Sequence, residues 1–459
     1  MAGIGFVLRK LLKKDTLLGT LQAYLHATLA TSGAWLFTVI ALGSFYLVFK
    51  NWNPIEIENF RIIILYNFSF SLVLAAPISL LSTRYLADSI YKKNVDNTVG
   101  MLIGGLMILF TLGLPISAAF YLLYAKFPLM VALLAIVNFM VICAIWFLSV
   151  FISALQYYIL VTMSFLLGMI FAVANSVVLG VVYSLEGMLL GFTLGQALIL
   201  SSLIALVLTE YPKRTQHLFD FLRYLKEYRL LILGGLIYNL AIWVDKWIMW
   251  FAPEAVKLPN NLIMYPHYDA AMFLAYLTIV PGMAMFLLSQ ETSFFEKYIQ
   301  FYDAILNHAP LKKIQSNHQM LLQGVYQSGR NLLLLQVCIC VITLLLAPKI
   351  FGWLGLNFIE LGIFRYGVLG STFQILSVYL SILLSYFDYR KGVFWIQVVF
   401  FSTNALFTLV CMKMGFSYYG YGYFLSTLVT FITAAIIAET YINKLPYHTF
   451  ITTNASVQE

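Results

Sequence analysis

Two ionisable residues stand side by side in an otherwise apolar stretch of the chain. The stretch YNLAIWVDKWIMWF places Asp245 and Lys246 near its middle. If this stretch crosses a membrane, a charge within it is costly and usually faces a polar cavity or an opposite charge. Neighbouring helix positions point about 100° apart, so we expect that the two side chains cannot satisfy each other alone. They form either a structural ion pair with another helix or a cavity charge that contacts substrate or carries a proton.

Four further polar residues are candidates for lining the same transport cavity. They are Arg84, Asp88, Asn239 and Gln196. Arg84 and Asp88 lie four residues apart, so the competing interpretation is a local pair on one exposed helix face. Asn239 and Gln196 lie in apolar segments, where amide side chains more often form hydrogen bonds between helices.

The sequence carries no motif for catalysis, metal binding or nucleotide binding. Its four cysteines lie in apolar runs without ligand spacing, and its six histidines are scattered. It contains no phosphate-binding loop of the form G-x-x-x-x-G-K-[ST]. We therefore expect no enzyme activity, no metal and no cofactor.

The composition places these residues in a lipid bilayer. The chain has 459 residues, of which 62% are hydrophobic and 10% charged, whereas a typical soluble domain is about 25% charged. So few charges cannot cover a water-facing surface. This excludes a soluble enzyme and a nucleic-acid-binding domain.

Apolar segments long enough to cross a bilayer predict an all-α polytopic membrane protein with twelve transmembrane helices. The predicted spans are 24–49, 60–86, 99–124, 129–151, 158–182, 188–209, 230–251, 269–290, 330–350, 362–388, 392–412 and 423–442. Most of the 27 lysines and arginines fall on the side that holds the N-terminus. This asymmetry predicts that both termini are cytoplasmic.

The spans are expected to form two bundles of six helices each. The predicted organisation is a cytoplasmic amphipathic helix at 1–23, a bundle at 24–209, a cytoplasmic linker at 210–229, a second bundle at 230–442 and a cytoplasmic tail at 443–459. Spans two and eight hold Pro77 and Pro281 at similar positions, as expected of a weak internal repeat. A proline frees a carbonyl and permits a kink, so both are candidate hinges.

A cytoplasmic amphipathic insert is predicted at 291–329, within the second bundle. Phe294, Tyr298 and Tyr302 share one face of a predicted helix at 291–309, and polar residues occupy the other face. Such a helix lies flat at the membrane interface, or its aromatic face docks a cytoplasmic partner. The three aromatic residues are therefore partner-docking candidates.

Several segments together resemble the Pel exopolysaccharide exporter family. They are MAGIGFVLRKLL at 1–12, TSGAW at 31–35, RYLAD at 84–88, IWVDKWIMW at 242–250, ETSFFEKYIQFYDAI at 291–305 and YFDYR at 386–390. The resemblance runs over essentially the whole chain. It implies a branch of the multidrug, oligosaccharidyl-lipid and polysaccharide (MOP, MATE-like) flippase superfamily, whose fold packs two six-helix bundles around a central cavity.

The resemblance also implies a function. It suggests a bacterial inner-membrane transporter that moves the amino-sugar polymer Pel from cytoplasm to periplasm during biofilm matrix production. The implied partners are a cytoplasmic glycosyltransferase and membrane proteins that include a cyclic-di-GMP receptor. Two alternatives stay open: a cation-coupled drug or metabolite antiporter, for which Asp245 is the candidate carboxylate, and a non-transporting scaffold for a polysaccharide synthase.

Overall fold

The computed structural model of the protein describes residues 16–48, 54–154, 158–211, 217–290, 294–355 and 357–452. Almost all of this part of the chain is helical. Its longer helices are α1 (Leu17–Val48), α2 (Pro54–Tyr91), α3 (Thr98–Ala118), α4 (Leu129–Ala154), α5 (Tyr158–Glu210), α6 (Arg229–Met249), α7 (Pro266–Leu277), α8 (Val280–Ser289), α9 (Phe295–Leu306), α10 (Leu311–Leu354), α11 (Leu361–Tyr386), α12 (Arg390–Met414) and α13 (Tyr421–Asn443).

Short elements complete the description. They are the π-helical turns Ala119–Tyr124 and His448–Thr452, the 3₁₀ turns Asp220–Arg223, Phe358–Glu360 and Phe416–Tyr418, and the single helical turns Tyr224–Glu227 and Leu445–Tyr447. Strands β1 (Val256–Lys257) and β2 (Ile263–Met264) pair antiparallel between α6 and α7. The predicted helix at 1–23 falls largely outside the described residues.

The predicted all-helical membrane architecture is confirmed, but the count of twelve spans is not exactly reproduced. Within the described ranges, ten helices are long and apolar enough to cross a membrane, or eleven if the bent pair Leu21–Leu29 and Thr31–Phe45 forms one span. This count treats α5 as one helix, although its 53 residues would extend about 80 Å. A bilayer core is only about 30 Å thick.

Helix α5 is in fact a helical hairpin. Tyr183 and Ser184 have non-helical backbone angles, with Ser184 in the left-handed region at φ 50°. Beyond this break the chain folds back, so that Gly191 lies against the backbone of Ser176 and Gly195 against Ala172. Glycines at every fourth position let the two arms approach closely. The two arms correspond to the predicted spans at 158–182 and 188–209.

The chain divides into two compact units. The N-terminal unit contains Ser32–Trp243 and Trp250–Tyr265, and the C-terminal unit contains the described residues up to Thr31, Val244–Met249 and the chain from Pro266 onward. These boundaries differ from the predicted bundles at 24–209 and 230–442. The reason lies in α6, because its Gly235 packs against Leu80 of the N-terminal unit.

The predicted insert at 291–329 is not a separate segment. Helix α9 ends at Leu306, and Pro310 precedes the first turn of α10. Helix α10 then runs without interruption from Leu311 to Leu354, through both the second half of the insert and the predicted ninth span. The last turn of α10 closes at Gly355, which has φ 65°.

Candidate functional site

The candidate site is built around the two adjacent charges on α6. Asp245 is fully buried and Lys246 is 5% exposed. The Lys246 Nζ lies 3.2 Å from both carboxylate oxygens of Asp245. The prediction that the two side chains point apart is therefore wrong, because the long lysine side chain curls back along the helix to reach its neighbour.

Two tyrosines of α7 also contact the pair. The Tyr268 hydroxyl donates to Asp245 Oδ2 at 3.2 Å, and Lys246 Nζ donates to the Tyr276 hydroxyl at 3.1 Å. The ammonium also lies 4.5 Å from the centre of the Tyr276 ring. These hydroxyls meet the expectation that a third group must assist the pair.

The polar contacts continue from α7 to α11 and α13. The Tyr276 and Tyr423 rings meet edge to face with their centres 5.5 Å apart, and the Tyr423 hydroxyl donates to Gln374 Oε1. Tyr423 is fully buried. We call Asp245, Lys246, Tyr268 and Tyr276 the ammonium site, since they hold an ammonium by a carboxylate, a hydroxyl and an aromatic face. All of these residues belong to the C-terminal unit.

Arg84 and Asp88 lie in a different environment, beside the segment that links α5 to α6. The Arg84 guanidinium lies 5.8 Å from the centre of the Tyr228 ring. Asp88 accepts a hydrogen bond from Tyr224, whose pKa is raised to about 12 by burial and then by this carboxylate. Within the part of the chain that the structure describes, Arg84 and Asp88 do not form an ion pair with each other.

Asn239 and Gln196 each contact a residue of their own helix or helical hairpin. Asn239 Nδ2 donates to the carbonyl of Gly235 on its own helix at 2.8 Å. Gln196 is 1% exposed and contacts Met169 Sδ at 3.9 Å within the α5 hairpin. These contacts do not join either amide to the ammonium site, and a role in transport stays a prediction for both.

The two hinge candidates occupy different local structures. Helix α2 continues through Pro77, whereas Pro281 lies in the first turn of α8, directly after a break in the span. The break is held by Gln336 of α10, whose Nε2 donates to the Thr278 carbonyl at 3.0 Å. This glutamine is fully buried.

The docking candidates Phe294, Tyr298 and Tyr302 are part of the core of the C-terminal unit. Phe294 is 1% exposed, and the two tyrosines pack against the same cluster, which includes Leu383 and Ala438. Phe294 is therefore covered by the protein itself, Tyr298 and Tyr302 are partly covered, and a docking role stays a prediction. An aromatic face alone does not reveal whether a partner, lipid or the protein's own helices will cover it.

The N-terminal unit holds a buried polar cluster that the sequence patterns did not predict. The Tyr121 hydroxyl donates to Asn67 Oδ1 at 2.6 Å, and Asn67 Nδ2 donates to Asn138 Oδ1 at 2.8 Å. Asn67 and Asn138 are 1% and 0% exposed. The only sequence signal was an amide within each apolar span, which does not indicate that the two amides meet.

Known structures with a similar fold are membrane transporters. A MOP superfamily transporter from Pyrococcus furiosus superposes with a TM-score of 0.66 at 12% identity, over 93% of this chain and 96% of the other. A mutant of the MATE transporter VcmN of Vibrio cholerae gives a TM-score of 0.62 at 10% identity, over 96% and 98%. An outward-facing MATE family transporter gives 0.61 at 13% identity, over 93% and 96%.

Family membership rests on the sequence itself. None of the curated proteins matches this chain. Residues 1–450 match the family described as PelG, an exopolysaccharide exporter (EPS-E). Because the match covers nearly all of the chain, and the fold is that of MOP superfamily transporters, the protein is a multi-pass membrane transporter that belongs to the PelG exopolysaccharide exporter family.

Proposed function

We propose that this exporter moves an amino-sugar polysaccharide of the Pel type from the cytoplasm to the periplasm, across the bacterial inner membrane. Family membership supports an exopolysaccharide as the cargo. The distribution of lysine and arginine supports a cytoplasmic location for both termini. In this function the protein works with a cytoplasmic glycosyltransferase and a cyclic-di-GMP receptor in producing the biofilm matrix.

The ammonium site is the observation that carries the proposal. Lys246 Nζ lies 3.2 Å from the Asp245 carboxylate and 4.5 Å from the Tyr276 ring centre. An amino sugar with a free amine presents the same primary ammonium, together with an apolar ring face that packs on aromatic rings. A substrate ammonium that exchanges with the lysine on Asp245 would select such a glycan over a neutral one.

The same geometry disfavours a cation-coupled antiporter. Such a transporter needs a carboxylate that accepts a proton or sodium ion during its cycle. Both oxygens of Asp245 already accept from Lys246, and one also accepts from Tyr268. A proton or sodium ion would have to displace the Lys246 ammonium just as a substrate ammonium would, but it brings no sugar ring to pack on the aromatic ring of Tyr276 in exchange.

The test neutralises the pair in a producing strain and measures polymer secretion together with membrane abundance. Asp245→Asn alone leaves a buried ammonium without its carboxylate, so protein should be lost. The double variant Asp245→Asn with Lys246→Met removes both charges and should restore abundance. If the site handles the glycan, the double variant should still fail to secrete polymer.

An exposed ion pair offers the matched control. Asp388 and Arg390 are bonded at 2.8 Å, and the Asp388 side chain is 56% exposed. Neutralising both in the same way should leave abundance and secretion unchanged. Normal secretion by the Asp245 and Lys246 double variant would exclude the ammonium site from transport, and undiminished secretion without the protein would exclude the export function.

A further inference from the structure

A small polar pocket lies in the C-terminal unit, apart from the ammonium site. Its volume is about 220 Å³, and it opens between α1, the end of α8 and the middle of α10. Pockets that enclose drug-sized ligands measure about 300–1,000 Å³. This one therefore has room for about one ring-sized group rather than a folded chain segment.

Two helices present matching faces to the pocket. Met285, Leu288 and Ser289 of α8 are spaced i, i+3 and i+4, so they share one face. Gln327 and Asn331 of α10 are likewise four residues apart. The helices are joined at the pocket by a hydrogen bond of 2.6 Å from the Ser289 hydroxyl to the Ser328 hydroxyl.

The lining has the chemistry of a carbohydrate subsite. Two side-chain amides and three hydroxyls supply both donors and acceptors, and none of the seven lining residues is charged. Tyr24 adds an aromatic ring, while Met285 and Leu288 add apolar surface. A pyranose ring offers the complement, with hydroxyls at its edge and C–H groups on its faces. A phosphate or a free cation would meet no opposite charge on this lining.

A buried amide follows the pocket residue Ser289 at the end of α8. Gln290 follows Ser289 and is 2% exposed. Neither polar atom of its side chain has a hydrogen-bond partner among the described residues. An unmatched buried amide is costly, but Gln290 does not line the pocket, so the case for a ligand rests on the lining residues.

We infer that this pocket binds one neutral sugar residue of the glycan, as a subsite separate from the ammonium site. The inference rests on the proposed function, since the sugar is part of the transported polymer. The predicted topology places the end of α8 on the cytoplasmic side. There the subsite would hold the chain by hydrogen bonds and ring contacts before any amine reaches Asp245.

Binding of an uncharged oligosaccharide tests the subsite directly. The probe is the tetramer of N-acetylglucosamine, titrated by calorimetry into the purified full-length protein in lipid nanodiscs. We expect saturable binding by the wild type and at least a tenfold weaker binding by Gln327→Leu and Asn331→Leu. The matched control is Gln323→Leu, since Gln323 is exposed on the same helix but does not line the pocket.

The outcomes separate the subsite from the export function. Gln327 is exposed, so its replacement should leave the thermal unfolding midpoint unchanged. No saturable binding by the wild type, or equal binding by the wild type, Gln327→Leu and Asn331→Leu, would overturn the subsite. Those results leave the secretion test untouched, because polymer secretion is measured in cells and depends on the whole transporter.

Discussion

The ammonium of Lys246 bonds to the carboxylate of its own chain neighbour, Asp245, at 3.2 Å from each oxygen. Adjacent helix residues rarely meet in this way, because their side chains leave the helix about 100° apart. Here the Tyr276 hydroxyl and ring hold the folded-back lysine. Both charges of the pair thus lie on one helix, and hydroxyls of α7 bind each of them.

This arrangement predicts a strong asymmetry between single and double neutralisation. Removing one partner of a buried pair leaves an uncompensated charge and typically costs about 3–5 kcal/mol. We therefore expect Asp245→Asn and Lys246→Met each to lower the thermal unfolding midpoint of the purified protein sharply. The double variant should lie much closer to the wild type. Additive losses in the double variant would show that the two charges do not stabilise each other.

A second prediction concerns α9. Phe301 is fully buried in the cluster that joins α9 to α10, α11 and α13. Replacing a buried phenylalanine by alanine usually costs about 3–5 kcal/mol, because the cavity fills only partly. Phe301→Ala should therefore reduce stability and membrane abundance. Tyr326→Ala is the aromatic control, since Tyr326 is 57% exposed and its loss should change little.

The α9 result has a consequence for partner binding. If the aromatic face served a partner, as its sequence pattern allowed, Phe301→Ala would leave the isolated protein as stable as the wild type. Only co-purification of the partner would then fall. Stability measured without any partner present distinguishes the two cases.

Sequence patterns predicted the helices better than the contacts between them. The approximate spans and the break between the two arms of α5 follow from the lengths of the apolar runs. The burial cost of a charge identified Asp245 and Lys246 from their apolar surroundings. Both inferences depend on the local sequence, which contains the required information.

Local sequence patterns did not predict the contacts between residues far apart in the chain. Tyr268 and Tyr276 reach the pair because α7 packs beside the end of α6, and nothing in their own surroundings signals this. The lysine rotamer was mispredicted because an average side-chain direction was applied to a long flexible chain. The face of α9 was recognised correctly, but amphipathicity gives the position of an apolar face and not the identity of what covers it.

A third prediction tests the α5 hairpin. A Cβ added at Gly191 would overlap the backbone of Asn175 and Ser176, which cannot move aside as a side chain can. Gly191→Ala should therefore separate the two arms and lower membrane abundance several-fold in a quantitative blot. Gly352→Ala is the control, because a Cβ at Gly352 in α10 would meet nothing within 4 Å. Equal abundance of both variants would contradict the close packing of the arms.

The last prediction concerns Tyr224, outside the membrane-spanning segments. Burial, followed by the hydrogen bond to Asp88, raises its pKa from 10.0 to about 12. A raised pKa means that the folded state holds the proton more tightly, so the contribution is fully present below pH 10 and is lost as the pH rises toward 12. Tyr224→Phe should therefore lower the unfolding midpoint at neutral pH, and the gap to the wild type should close across this alkaline range. The unfolding midpoint of each protein is expressed relative to its own value at neutral pH. The titration of the other tyrosines, which both proteins share, then cancels in the comparison. A gap that stays constant up to pH 12 would show that folding does not raise the pKa of Tyr224.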